Sequence, residues 1–193
     1  MPRPDRSRSA LVDTAAVLFR RQGYAATGVN QILEDAGVKA GSLYHHFPDG
    51  KQQLAAAVVE RVGSDIERRL REVLATELPV TDIVDGWIDL MAAGLADDQR
   101  DGCPIEPIAT ESVNASAEVR TASAAVFDSW RRAITDRLRA DGWPQADADR
   151  TGLALIALVE GALLLSRIAG DSAALDAAKT AARTLLAPTY TAR

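Results

Sequence analysis

The sequence predicts an all-α fold of about nine helices, with a compact N-terminal three-helix unit followed by a larger helical bundle. Three observations lead there. Apolar residues recur at helical spacing along the chain, Gly and Pro interrupt that spacing at intervals, and no run of strand alternation competes with it. The 193 residues, 47% hydrophobic and 25% charged, suffice for a sizeable core and argue against global disorder. Aromatics make up only 5%, so the core is built mainly from Ala, Leu, Val and Ile.

Leu11, Ala15, Leu18 and Phe19 lie on one face of a first helix, which Gly23 stops. Thr27 is the expected N-cap of a short second helix carrying Val29, Ile32, Leu33 and Ala36, and Gly37 ends it. A third short helix is expected over 40–47, before the turn Pro48-Asp49-Gly50. Lys51 opens a long fourth helix in which Leu54, Val58, Val62, Ile66 and Leu70 recur every four residues; Leu78-Pro79 closes this region. Five more helices follow. They are expected over 82–96, from Pro104 (in the first turn) to about 113, over 117–140, over 146–169, and over 173–186. The fourth of these is the most apolar. Its stretch 153–165 is cut by Glu160 and followed by Arg167, which suits a buried helix of a soluble protein better than a membrane span.

Charge is unevenly spread. Residues 1–51 carry seven basic and five acidic side chains, net +2, so the rest carries −7 of the total −5. A mildly basic head on an acidic body can place one surface against phosphates, although a chance fluctuation accounts for the same numbers. The start MPRPDRSRS leads into no uninterrupted apolar stretch, so no signal peptide is expected, and a single cysteine suits a reducing cytoplasm.

Two short helices joined by a tight glycine turn form a helix-turn-helix pattern. Here 29–36 is the supporting helix, Gly37-Val38 the turn and 40–47 the recognition helix. Leu43 and Phe47, at i and i+4, pack inward, leaving Gly41, Ser42, Tyr44 and His45 outward. Helical hairpins without DNA function share this pattern, so the pattern alone leaves both readings open.

Leu18-Phe19-Arg20-Arg21-Gln22-Gly23-Tyr24, Thr27, the segment from Ile32 to Ala36-Gly37-Val38, Gly41-Ser42-Leu43-Tyr44-His45-His46-Phe47, Lys51 and Leu54 together resemble the tetracycline-repressor (TetR) family of bacterial transcription regulators. Phe47-Pro48-Asp49-Gly50-Lys51, Gly102-Cys103-Pro104-Ile105 and Leu158-Val159-Glu160-Gly161 look like the subgroup around lincomycin-resistance repressors. The resemblance implies a homodimer whose first three helices bind operator DNA. It also implies a C-terminal domain that senses a small molecule and then releases the DNA. On this basis 1–62 is the helix-turn-helix domain and 63–193 the ligand-binding and dimerisation domain. Two departures stand out. Lys39 sits where the family often has a Ser or Thr cap, and a lysine cannot accept that N–H bond. Leu33 replaces a common small alanine.

The expected DNA-binding residues are Thr27, Lys39, Gly41, Ser42, Tyr44, His45 and Lys51. Thr27 and Lys51 stand at predicted helix N-termini, where free N–H groups favour an anion; a plain cap and a solvated lysine are the alternatives. Arg3, Arg6 and Arg8 form either an arm reaching DNA or a frayed terminus. Trp87, Met91, Cys103, Glu111, Phe127 and Trp130 are expected around an effector site, with few fixed charges. Such a site suits a small apolar or aromatic molecule rather than a phosphorylated one. Cys103 has two further readings, a small buried residue or a redox sensor. Leu153, Ile156, Glu160, Leu163 and Leu164 exceed what one core can take and are expected at a C2 interface. Glu160 there needs a donor, across the interface or near the cavity.

No metal or cofactor is expected. His45 and His46 are adjacent on a helix and diverge, which makes them poor co-ligands. No acid/base constellation or nucleotide loop supports an enzyme. The leading expectation is therefore a cytoplasmic, ligand-responsive repressor without membrane contact. The runner-up is a dimeric small-molecule-binding protein lacking specific DNA recognition.

Overall fold

A computed structural model describes residues 6–187. Among them are nine helices and no strand: α1 (Arg6–Gln22), α2 (Val29–Ala36), α3 (Ala40–His46), α4 (Lys51–Leu74), α5 (Val80–Asp97), α6 (Glu106–Ser112), α7 (Ala117–Ala140), α8 (Gln145–Ala169) and α9 (Ala173–Leu185). They form two compact units. The first holds the described part of Met1–Asp65 together with Cys103–Val126, and the second holds the described part of Ile66–Gly102 and Phe127–Arg193. The first division falls near the expected boundary at 62, but α6 and the start of α7 group with the N-terminal helices.

In the first unit the helical periodicity of α1 becomes a fully buried stripe, with Leu11, Ala15 and Phe19 at 0% exposure. Ile32, Leu43, Phe47, Leu54 and Val58 close that core from α2, α3, the residue after α3, and α4. The α2–α3 turn depends on Gly37, whose φ of 65° is left-handed. Its N–H donates to the Glu34 carbonyl, and the Val38 N–H to the Leu33 carbonyl, satisfying the end of α2. Lys39 caps α3 in extended backbone with no side-chain bond, as expected for lysine.

Two local expectations change. The N-cap of α2 is Gly28, not Thr27; the Thr27 hydroxyl instead donates backward to the Gly23 carbonyl at 2.6 Å. The proline near the start of α6 is Pro107, with Pro104 three residues before the helix in sequence, because α6 begins only at Glu106.

In the second unit α8 and α9 pack as an antiparallel hairpin around Leu155, Leu163, Leu175, Ala178 and Ala182. Where α7 and α8 approach, Gly152 leaves no room for a side chain: a Cβ there would stand 2.7 Å from Thr135 Oγ1. Arg137, largely buried on α7, donates to the carbonyls of Leu74 and Leu78 at 2.6 Å and to that of Thr76 at 3.1 Å. One guanidinium thus satisfies the carbonyls that the end of α4 leaves free. Asp85, buried on α5, accepts from Arg183 of α9, and Asp89 accepts from Lys179.

Candidate nucleic-acid interface

The recognition helix divides sharply. Leu43 and Phe47 are 1% and 2% exposed, anchoring α3 to the core. Lys39, Gly41, Tyr44 and His45 are exposed, and Ser42 is half-buried. Small residues at the start of α3 let backbone approach a groove, and the Tyr44 and His45 tips carry the polar atoms. A Cβ at Gly50, in the turn before α4, would be 3.4 Å from Tyr44 Cε1. Arg8 places its guanidinium 5.4 Å from the Phe47 ring centroid. Arg6 and Arg8 are therefore helical residues of α1 rather than a free arm, while Arg3 lies outside the described residues.

Lys51 begins α4, and its ammonium stands 4.1 Å from the Tyr24 ring centroid and 6.0 Å from that of Phe19. Burial pulls its pKa below the ordinary lysine value, and the negative charge of Glu111 partly opposes that pull. Burial raises the Tyr24 phenol, with the Ser112 hydroxyl acting in the opposite sense. The connection between α1 and α2 is a knot of side-chain bonds. Thr27 is 1% exposed, and its hydroxyl accepts from Gln22 Nε2 while donating to Gly23. Gln22 also donates to Gln31 at 2.8 Å. The hydroxyl of Thr27 is thus committed inside the protein, and an anion at this end of α2 would be met by backbone N–H groups. Neither Gln22 nor Gln31 was legible as part of this site, because polar pairs nine residues apart carry no periodic signal.

The expected effector residues fall in both units. Trp87, Met91, Phe127 and Trp130 belong to the second; Phe127 and Trp130 meet edge-on at 5.2 Å, and Trp130 is 5% exposed. Cys103 and Glu111 belong to the first. Cys103 is buried, and Glu111 accepts the Ala25 N–H at 2.5 Å. A separate small cavity of about 160 Å³ in the second unit lies among Leu95, Gln99, Ser166 and Arg167, and none of the expected effector residues lines it.

On α8, Leu153 and Leu164 are exposed, and so are Leu165 and Ile168, which the sequence did not single out. Ile156 and Glu160 are half-buried. Leu163 is corrected: at 6% exposure it is core within its own chain. One residue advances a helix by about 100°, which turns Leu163 inward where Leu164 faces out. The same helix is apolar and long enough to cross a membrane, with a mean hydropathy of 1.9 over its best window. Among the described residues no group of three or more His, Cys, Asp or Glu could hold a metal ion.

Comparison with known proteins gives one answer at both ends of the chain. Residues 11–58 match the family model for bacterial regulatory proteins of the tetR family, and residues 79–181 match that for the LmrA/YxaF-like transcriptional regulator C-terminal domain. The chain is 32% identical over 161 residues to the HTH-type transcriptional regulator YxaF of Bacillus subtilis, covering 83% of this chain and 84% of that one. It is 29% identical to the HTH-type transcriptional regulator LmrA of the same organism, covering 86% and 89%. A TetR transcriptional regulator from Chloroflexus aurantiacus superposes with a TM-score of 0.76 at 32% identity, covering 94% of each chain. With both halves matched and nine helices in the same order of domains, the chain belongs to the TetR family of helix-turn-helix transcriptional regulators, with an LmrA/YxaF-like C-terminal domain.

Proposed function

We propose that this regulator is a homodimeric repressor that reads a palindromic operator through α3 and is released from it by a small apolar or aromatic effector. One observation carries the DNA half. The exposed face of α3, with Lys39, Gly41, Tyr44 and His45, stands on a helix whose opposite face is locked by Leu43 and Phe47. A rigid element with an open polar face is what base reading in a major groove requires. Lys51 supplies a phosphate contact, and backbone N–H groups at the start of α2 supply another.

The exposed apolar stripe of α8 supports the dimer, since Leu153, Leu164, Leu165 and Ile168 otherwise face water. That use of its apolar surface also suits a cytoplasmic location better than a membrane one. Trp87, Met91, Phe127 and Trp130 supply the aromatic and apolar character of the effector site. The reading is tested by calorimetric titration of hydrophobic aromatics and of sugar phosphates, with and without operator DNA recovered by selection from genomic fragments. An aromatic binds, and its affinity falls when operator is present. A tenfold coupling corresponds to about 1.4 kcal/mol and acts equally in both directions. Tight binding of a sugar phosphate, or indifference to operator, contradicts the effector half.

A further inference from the structure

The α1–α2 turn and the start of α4 are held by a residue far away in sequence. Glu111, on the last turn of α6, accepts the backbone N–H of Ala25 at 2.5 Å. Its other contact is with Gly23, where φ is 90° and a Cβ would stand 2.7 Å from Glu111 Oε1. Only glycine provides both the left-handed backbone and the space. Next to it, Tyr24 turns its ring under the Lys51 ammonium, and the charge of Glu111 reaches Lys51. Thr27, just beyond, is tied back to Gly23. One carboxylate therefore fixes the turn that presents the start of α2 and backs the aromatic platform on which Lys51 rests.

We propose that Glu111 is a positioning residue for DNA binding: its carboxylate oxygen holds the Gly23–Ala25 turn and thereby sets Tyr24 and Lys51 for contact with phosphate. The inference rests on the reading of Lys51 as a phosphate contact. It runs against the simple electrostatic expectation. An acidic side chain near a DNA-binding surface repels phosphates, so its removal by that effect alone tightens binding. Here the carboxylate is committed to a backbone donor. Losing the acceptor frees the turn, and that loss exceeds the relief of repulsion, because charge-assisted bonds are the stronger kind.

The two effects separate with two variants. Glu111→Gln keeps an acceptor oxygen and removes the charge, whereas Glu111→Ala removes both. Binding is measured by fluorescence anisotropy, across a salt series, to a labelled random-sequence duplex and to a duplex selected from genomic DNA. Thermal midpoints and sedimentation of each variant accompany it. Glu111→Gln binds at least as tightly as the native chain. Glu111→Ala loses roughly tenfold on both duplexes, the size expected when one charge-assisted hydrogen bond goes. Lys51→Ala flattens the salt slope by about 0.9, and costs much less when Glu111 is already Ala, because the ammonium is no longer positioned. Tighter binding by both Glu111 variants overturns the proposal in favour of plain repulsion. Additive losses for Glu111→Ala and Lys51→Ala overturn it too, as does native affinity in Glu111→Ala. If Lys51→Ala itself leaves binding and slope unchanged, the phosphate reading of Lys51 fails first and takes the proposal with it.

Discussion

Leu43 and Tyr44 are neighbours in sequence and opposites in burial, 1% and 55% exposed. One peptide bond separates the group that holds the recognition helix from the group that faces outward. Stability and DNA affinity therefore come apart under mutation. Leu43→Ala removes a fully packed side chain and costs about 2–5 kcal/mol of stability. Tyr44→Ala leaves the thermal midpoint nearly unchanged and costs on the order of 1–3 kcal/mol of operator affinity. Denaturant titration and anisotropy on the two variants check the split; equal effects on both quantities contradict it.

Lys51 gives a pH dependence with opposite signs in two measurements. Burial holds its pKa below the ordinary 10.5. The folded state therefore disfavours the charged form, and Lys51's contribution to stability rises as pH climbs from the folded value to the ordinary one. Over the same alkaline window the ammonium is lost sooner than on a free lysine, so phosphate affinity falls. Chemical denaturation and DNA binding across that window, compared with Lys51→Ala, read the two trends. In the variant both contributions of this group vanish.

Gly152 faces Thr135 across the α7–α8 contact, with 2.7 Å between the place of a Cβ and the Thr135 oxygen, and 3.3 Å to the Arg131 carbonyl. Backbone on one side prevents easy relief. Gly152→Val forces the helices apart and costs about 1–3 kcal/mol. The measurement is the denaturation midpoint, and an unchanged midpoint contradicts the close packing.

The exposed leucines of α8 predict assembly. Leu164→Arg places a charge in the proposed C2 interface, where it loses water without gaining a partner. Sedimentation velocity finds the native chain dimeric at micromolar concentration and the variant shifted toward monomer. An unchanged dimer moves the interface elsewhere.

Much of this was legible in the sequence because the information is local. The helix-turn-helix is written in Ile32, Gly37, Leu43 and Phe47, all within one short segment, and their burial follows from spacing alone. Where the sequence reading departed from the structure, the reason is physical. Thr27 has the chemistry of a cap, but its hydroxyl finds the Gly23 carbonyl behind it before the N–H groups ahead. Leu163 and Leu164 share composition and differ by one step of rotation, which decides core against surface. Glu111 was expected beside the effector, yet it meets Ala25, 86 residues earlier. No periodicity encodes a contact of that separation, and a carboxylate on a short helix looks like any solvated acid. The left-handed Gly23 was the available clue, since it marks a turn that something else can approach closely.

The central claim is that this chain grips DNA as a dimer through α3. The most direct measurement is binding of the purified protein to a selected palindromic duplex over a salt series, with stoichiometry read by sedimentation. Two recognition helices spaced by about 34–36 Å, or a multiple of it, predict one dimer per palindrome. Affinity then falls steeply with salt and is abolished for the selected sequence when its half-sites are moved by half a helical turn. Binding that ignores half-site spacing and sequence, or no binding to any genomic fragment, would contradict the account.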